Sequence, residues 1–249
     1  MNVLDRISQW FAGKQQTCPM CGQRCGDASP HLIPVRHPQP RHLLRALCHT
    51  CLSDIPWITH PLCRVCGRAE TCVDCARRKV RHYETCRCAV RYDDRMRDWL
   101  ARYKYRGNER LAPILAAMLA YVYESRFANL SFDAITSVPL SSIRLQERGF
   151  NQAERLASHL TEWYGIPYIP LLRRTRHTEK QSLKSRRNRV IDMRGIFESR
   201  NELVHSASFS GNFLLLDDVY TTGSTIDECA RIIRVAHPDV RVYGLAWAR

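Results

Sequence analysis

Acidic residues are scarce in this 249-residue chain, 24 against 38 basic ones, which leaves a formal net charge of +14. Such a balance disfavours cationic partners and suits polyanions, nucleic acid and phosphorylated metabolites among them. A solvated basic face without a partner has the same composition, so charge alone decides nothing further. Long apolar runs are missing as well. No stretch approaches the roughly 20 residues that cross a bilayer as a helix, which excludes a helical membrane span. The segment Met1–Gln16 carries Asp5 and Arg6 among short apolar pieces and does not read as a secretory signal. The protein is therefore expected in the cytoplasm with reduced thiols. Val3, Leu4, Ile7, Trp10 and Phe11 fall on one face of a helix there. That face can pack on the protein's own body, or against a partner or the inner surface of the membrane. The chain also lacks a Ser/His/Asp triad or a reactive-cysteine signature.

Cysteine is almost absent beyond residue 88, where only Cys229 remains of the twelve. Four Cys-x-x-Cys knuckles lie before that point: Cys18/Cys21, Cys48/Cys51, Cys63/Cys66 and Cys72/Cys75. Two-residue spacing lets both thiolates of a knuckle reach one tetrahedral zinc, and two knuckles close a structural site. Eight ligands serve two zincs. Spacing permits sequential pairing or a cross-braced one, and an iron–sulfur cluster is the alternative cargo. Four thiolates leave no open position for water, so the expected role is structural. Cys25, Cys86 and Cys88 lie outside the knuckles and read as ordinary thiols. Arg36, Arg41, Arg45, Arg64, Arg68, Arg77, Arg78 and Arg81 crowd the same region. Zinc ribbons of this kind touch nucleic acid or serve as protein-contact modules. The composition shift divides the chain into residues 1–88, an N-terminal helix with a double zinc-knuckle module, and residues 89–249.

The second part reads as α/β. Helical periodicity runs through Asp94–Tyr105 and Glu109–Phe127, and again from about Asn151 to Tyr164. Strands are expected at Ala134–Val138, near Tyr168–Leu172, at Phe213–Leu216 and at Val240–Trp247. Strands alternating with helices imply a mostly parallel sheet flanked by helices. The run Leu171–Val190 is the most basic of the chain, with eight Lys/Arg against one Glu.

The most informative stretch is Phe213–Thr225. Four apolar residues suit a strand buried on both faces. Asp217 and Asp218 follow where that strand is expected to end. The turn Thr221-Thr222-Gly223-Ser224-Thr225 then leads into a helix over Ile226–Val235. A strand end feeding a hydroxyl-rich turn and a helix N-terminus is where α/β proteins bind phosphates. Two carboxylates beside a phosphate would repel it unless they face a sugar diol or a magnesium ion. That combination suits a ribose 5-phosphate. The run resembles the phosphoribosyl-pyrophosphate (PRPP) signature of type I phosphoribosyltransferases.

Taken with the knuckles, with Val138-Pro139-Leu140, with Arg148-Gly149-Phe150-Asn151-Gln152-Ala153-Glu154 and with the basic loop bearing Gln181 and Arg189, the chain resembles the ComF/GntX family along nearly its whole length. Its members join an N-terminal zinc-binding module to a type I phosphoribosyltransferase-like domain. The resemblance implies that Asp217 and Asp218 hold the ribose hydroxyls and that Thr221, Thr222, Gly223, Ser224 and Thr225 hold the 5-phosphate. It places Pro139, Leu140 and Ser141 in the pyrophosphate loop, with Arg148 as a charge partner. Thr175–Arg189, with Gln181 and Arg189, becomes a mobile loop over the site, and magnesium bridges the bound oxygens. Asp192 stands where the family carries Asn. Two functions follow as expectations. One is a competence protein that assists uptake of single-stranded DNA beside import machinery at the inner membrane. The other is a metabolic phosphoribosyltransferase that moves ribose 5-phosphate from PRPP to a base or another nucleophile.

Overall fold

The computed structural model describes residues 17–25, 33–78, 80–105, 108–175, 195–200 and 209–249. The N-terminal segment Met1–Gln16, and with it the expected amphipathic helix, lies outside the described residues, as do Gln181, Arg189 and Asp192.

A parallel sheet organises the chain. Its strands are β1 (Cys86–Val90), β2 (Ala134–Ser137), β5 (Gly211–Val219) and β6 (Val240–Ala248), in the spatial order β1-β6-β5-β2. All three pairings are parallel. Parallel strands need covered faces, and the alternation along β5 shows how both are covered. Leu214 and Leu216 join one hydrophobic cluster, while Phe213 and Leu215 join the other.

The first cluster is closed by α5 (Ala112–Arg126) and α7 (Gln152–Tyr164). Residues 114–122 of α5 are all buried, because this helix lies between the sheet on one side and the cysteine-rich residues on the other. A helix apolar all round is what such a position demands. The second cluster is closed by α8 (Ser224–Ala236), through Ile226, Cys229, Ala230 and Ile233. Between β1 and α5 run α4 (Asp94–Tyr105) and a short 3-10 turn at Glu109–Leu111.

The cysteine-rich region adds three short helices, α1 (Pro38–Arg45), α2 (His49–Ser53) and α3 (Val73–Arg77). It packs against the sheet. Strand β1 straddles residue 88, and the Ile58 N–H donates to Ala89 O at 2.9 Å. Cys18, Cys48 and Cys51 belong to the first hydrophobic cluster and Cys66 to the second, so the two halves of the region pack on opposite faces of the sheet.

Two local expectations change, and one unforeseen helix appears. The strand expected near Tyr168–Leu172 is instead β3 (Leu172–Arg174), paired antiparallel with β4 (Phe197–Ser199), while Tyr168 makes one parallel bridge to Ile135. Residues Ser142–Arg148 form a helix, α6, capped by the Ser141 side chain and ended by Gly149 at φ +80°. Strand β5 runs on to Val219, so Asp217 and Asp218 sit inside it rather than beyond it.

Leu214 is fully buried whereas Val235 is 70% exposed. Leu214→Ala is expected to cost about 2–5 kcal/mol in urea unfolding, and Val235→Ala less than about 0.5 kcal/mol.

Candidate functional site

The site assembles where the parallel strands end. Ser137 pairs with Leu216 across β2 and β5, and the Val138 N–H donates to Leu216 O at 2.9 Å. That register sets Pro139, Leu140 and Ser141 beside the acidic pair. Asn151 holds the exit of β2 in place. Its amide donates to Val138 O at 3.1 Å, and its carbonyl oxygen accepts from the Ala153 N–H at 3.2 Å as the N-cap of α7. The segment Arg148–Gln152 is thus a corner that fixes the turn after β2. Arg148 itself lies against this corner, donating to Gln152 Oε1 at 2.8 Å and stacking 5.1 Å from the Tyr105 ring.

Asp217 and Asp218 differ sharply. Lys104 of α4 reaches Asp218, Nζ to Oδ2 at 2.6 Å, with both side chains largely covered. Asp217 accepts the Asp218 backbone N–H at 2.8 Å. Burial, then the Asp218 charge, push the Asp217 carboxyl up to about 8, against the pull of the Asp218 N–H, Lys104 and Arg174. An acid held in this way is a carboxylate short of cation or hydrogen-bond donors. That shortage fits a bound diol or a divalent cation, and Asp217 with Asp218 are the residues that would hold it.

The anion turn follows directly. Gly223 takes φ +77° as the N-cap of the 13-residue α8, and an added Cβ would come within 2.0 Å of Tyr220 Oη. Only glycine fits there. Thr222 Oγ1 and Ser224 Oγ lie 2.9 Å apart, and the Ser224 N–H meets Thr222 Oγ1 only at 3.4 Å. Two hydroxyls of the turn thus lie together at the N-terminus of α8, a position suited to an anion.

The knuckles pair sequentially. Cys18, Cys21, Cys48 and Cys51 form one tetrad, and Cys63, Cys66, Cys72 and Cys75 the other, with the sulfurs of each within 4.8 Å of one another. Local chain geometry explains the approach. In Cys18–Gly22 and Cys63–Gly67 a glycine with positive φ donates back to the first cysteine's carbonyl, at 2.8 and 3.0 Å. Cys48 and Cys72 are the N-caps of α2 and α3. Burial pushes Cys51 and Cys66 up, with neighbouring thiols adding to it. Burial also opposes the ionisation of Cys72, yet the Cys75 N–H, the adjacent thiols and Arg249 draw it down to about 7. Four sulfurs crowded together with unequal proton affinities are relieved by a thiophilic dication. The donor set fits zinc in a closed structural site. Cys86 and Cys88 are core residues of β1, and Cys229 is buried in α8. Cys25 donates to Ala46 O at 3.3 Å, beside the first tetrad.

Sequence reasoning missed Lys104, Arg174 and Tyr220 at this site. Lys104 is one cation among several on an amphipathic helix, and nothing in its spacing points to an acid more than a hundred residues away.

Strand order, acidic pair and glycine turn define an α/β protein built on a parallel sheet, with two four-cysteine clusters that could each hold a metal ion. No protein-family model matches the chain. Competence protein ComFC of Bacillus subtilis is 31% identical over 196 residues, covering 75% of this chain and 77% of that protein. Competence protein F of Haemophilus influenzae is 29% identical, covering 81% and 90%, and the DNA utilization protein YhgH of Escherichia coli is 27% identical, covering 75% and 90%. The chain belongs to the ComF competence-protein family. Among solved structures, an adenine phosphoribosyltransferase is similar at a TM-score of 0.36 with 14% identity, covering 60% of this chain and 75% of that one. An allosteric regulatory enzyme of purine biosynthesis is similar at 0.33 with 23% identity, covering 55% and 25%.

A carboxyl with a raised folded pKa keeps its proton after the unfolded chain has lost it. Its contribution to stability therefore falls as pH rises from 3.8 to about 8, and then levels off. Asp217→Asn, which keeps an acceptor for the Asp218 N–H, is expected to raise the melting temperature near pH 8. The gain should shrink towards pH 4 in differential scanning fluorimetry across that range.

Proposed function

We propose that this protein binds PRPP with magnesium at the end of β5 and assists the handling of single-stranded DNA in the cytoplasm, at the inner face of the membrane. The observation that carries the first half is the continuity of β5, the acidic pair, the Gly223 turn and the N-terminus of α8. One short segment thereby offers a diol site and a phosphate site side by side. The ribose hydroxyls donate to Asp217 and Asp218, and the 5-phosphate accepts from the turn. Pro139–Ser141, set beside the acids by the β2–β5 register, face the pyrophosphate. A bound magnesium ion would be held beside Asp217 and Asp218 and would supply neutralisation of the ligand's charge.

The DNA half rests on the family, on the net charge of +14 and on the surface around the second tetrad. Arg64, Arg77 and Arg81 stand exposed there beside the exposed Leu62, Val73 and Val80. Cations interleaved with apolar side chains suit a flexible polyanion with bases to pack. Among the described residues no helix is long and apolar enough to cross a membrane, so attachment to the membrane would be peripheral, through import-machinery partners.

Transfer of ribose 5-phosphate to a base or another nucleophile is the second reading. It is favoured by the retention of every carboxylate, hydroxyl and glycine of the run. The C1–pyrophosphate bond would break through an oxocarbenium-like state, a step that needs positioning and charge stabilisation rather than a protein nucleophile. Pyrophosphate release from PRPP across a panel of bases separates this reading from a binding role.

Magnesium–PRPP titrated calorimetrically into zinc-loaded protein is expected to bind saturably. It should release protons at pH 7 and fewer near pH 9, because ligation favours the Asp217 carboxylate. Heats independent of buffer ionisation enthalpy would show that Asp217 loses no proton on binding. Asp218→Asn is expected to weaken binding by about tenfold or more. That substitution leaves Lys104 unpaired, so the Lys104→Gln/Asp218→Asn double variant is measured beside it. Unchanged affinity in both would show that Asp218 does not hold the ligand. Single-stranded DNA binding that weakens steeply with salt is the matching expectation for the DNA half, and its absence counts against that half.

A further inference from the structure

Side chains join the second cysteine tetrad to the anion turn directly. Arg249 donates from one terminal nitrogen to Cys72 Sγ at 3.6 Å and from the other to Thr221 O at 3.3 Å. Its guanidinium also lies 4.5 Å from the centroid of the Tyr220 ring. Arg78, three residues beyond Cys75, donates to Thr222 O at 2.8 Å and to Gly223 O at 3.3 Å. Tyr83 and Tyr220 share a hydroxyl hydrogen bond of 2.7 Å. Asp227, in the first turn of α8, accepts the His82 N–H at 2.9 Å and faces Arg78 at 3.5 Å.

Three successive carbonyls, those of residues 221, 222 and 223, are thus held from the side of the second tetrad. In a trans peptide the C=O and the following N–H point in opposite directions. Fixing these carbonyls therefore aims the N–H groups of Thr222, Gly223 and Ser224 away from the tetrad, as a set. Anion affinity in such a turn comes from convergent N–H groups whose geometry is fixed before the ligand arrives. The first tetrad is placed differently. It packs in the opposite hydrophobic cluster, where Arg102 of α4 donates to Met20 O.

We infer that Arg249 and Arg78 are positioning residues through which closure of the second tetrad around its metal sets the shape of the anion turn, while the first tetrad has no hold on it. The inference rests on the reading of residues 221–225 as the phosphate site and adds a control to it. A closed tetrad fixes Cys72 and the segment after Cys75, and so the two arginines. An open tetrad frees both and lets the carbonyls of Thr221 and Thr222 rotate, whereas Gly223 O keeps the Asp227 N–H at 2.9 Å.

The test uses the full chain and compares Cys63→Ser, Cys21→Ser and Arg249→Gln with the wild type. Cys63 is a ligand of the second tetrad other than the one that Arg249 touches. Metal content is measured first: Arg249→Gln should retain two metals per chain. Hydrogen–deuterium exchange of residues 220–226 is the primary readout and needs no ligand. Exchange there is expected to rise by about tenfold or more in both Cys63→Ser and Arg249→Gln, and to stay within about twofold in Cys21→Ser. The second readout is calorimetric binding of magnesium–PRPP, which should weaken in the same two variants. Unchanged protection of 220–226 in Arg249→Gln with its metals retained would overturn the inference, and so would an equal rise in Cys21→Ser. If exchange responds as expected while wild-type protein binds no PRPP, the coupling stands and the choice of ligand falls. Should Cys63→Ser not fold, Arg249→Gln carries the test alone.

Discussion

Strand β5 is paired along its length with β6 from Gly211 to Val219, and with β2 from Phe213 to Leu216. Everything at the site depends on that double pairing. It leaves the central strand no freedom of register, since a slip of one residue would exchange Phe213 and Leu215 with Leu214 and Leu216 between two separate hydrophobic clusters. The register then decides which residues stand at the carboxyl end of the sheet. Two aspartates, a turn that only glycine can complete and the start of α8 arrive there together, with the turn after β2 alongside.

Charge at that end is arranged unevenly. The protein as a whole is strongly basic, yet only Lys104 makes a close ion pair with the acidic couple among the described contacts, and it goes to Asp218. Asp217 is left with a backbone N–H and more distant cations, which is why burial raises it so far. A ligand with hydroxyl donors or a divalent cation supplies what the fold withholds. The arginines closest to the turn do the reverse of what composition suggests. Arg78 and Arg249 donate to the carbonyl oxygens of residues 221, 222 and 223 rather than standing free as cations.

The cysteine-rich residues have a related double role. Small regions of this kind gain little from their own core, and these share the core of the sheet. One tetrad backs α4 and α5 on the first face, and the other backs α8 and the anion turn on the second. A metal bound in either cluster would therefore stabilise more than its own loops.

Local features were legible in the sequence wherever they depend on neighbours along the chain. Knuckle spacing gave the eight ligands, periodicity gave α4, α5, α7 and α8, and the run from Phe213 to Thr225 gave the strand, the acids and the turn. Strand β1 escaped notice because the composition boundary at residue 88 cuts through it, and Cys86 and Cys88, which read as ordinary thiols, are core residues of a sheet edge. Helix α6 was hidden within a motif whose glycine and asparagine turn out to build a corner. Knuckle pairing, the Lys104–Asp218 ion pair, the elevation of Asp217 and the Arg249 bridge from Cys72 to Thr221 were decided only by the tertiary structure. The Lys104–Asp218 pair and the Arg249 bridge join residues more than a hundred positions apart, and Asp217 is raised by burial that only the packed sheet provides. Chain spacing fixes which chemical groups are present and which can share one turn. Burial and distance across the sheet fix which of them meet, and with what charge.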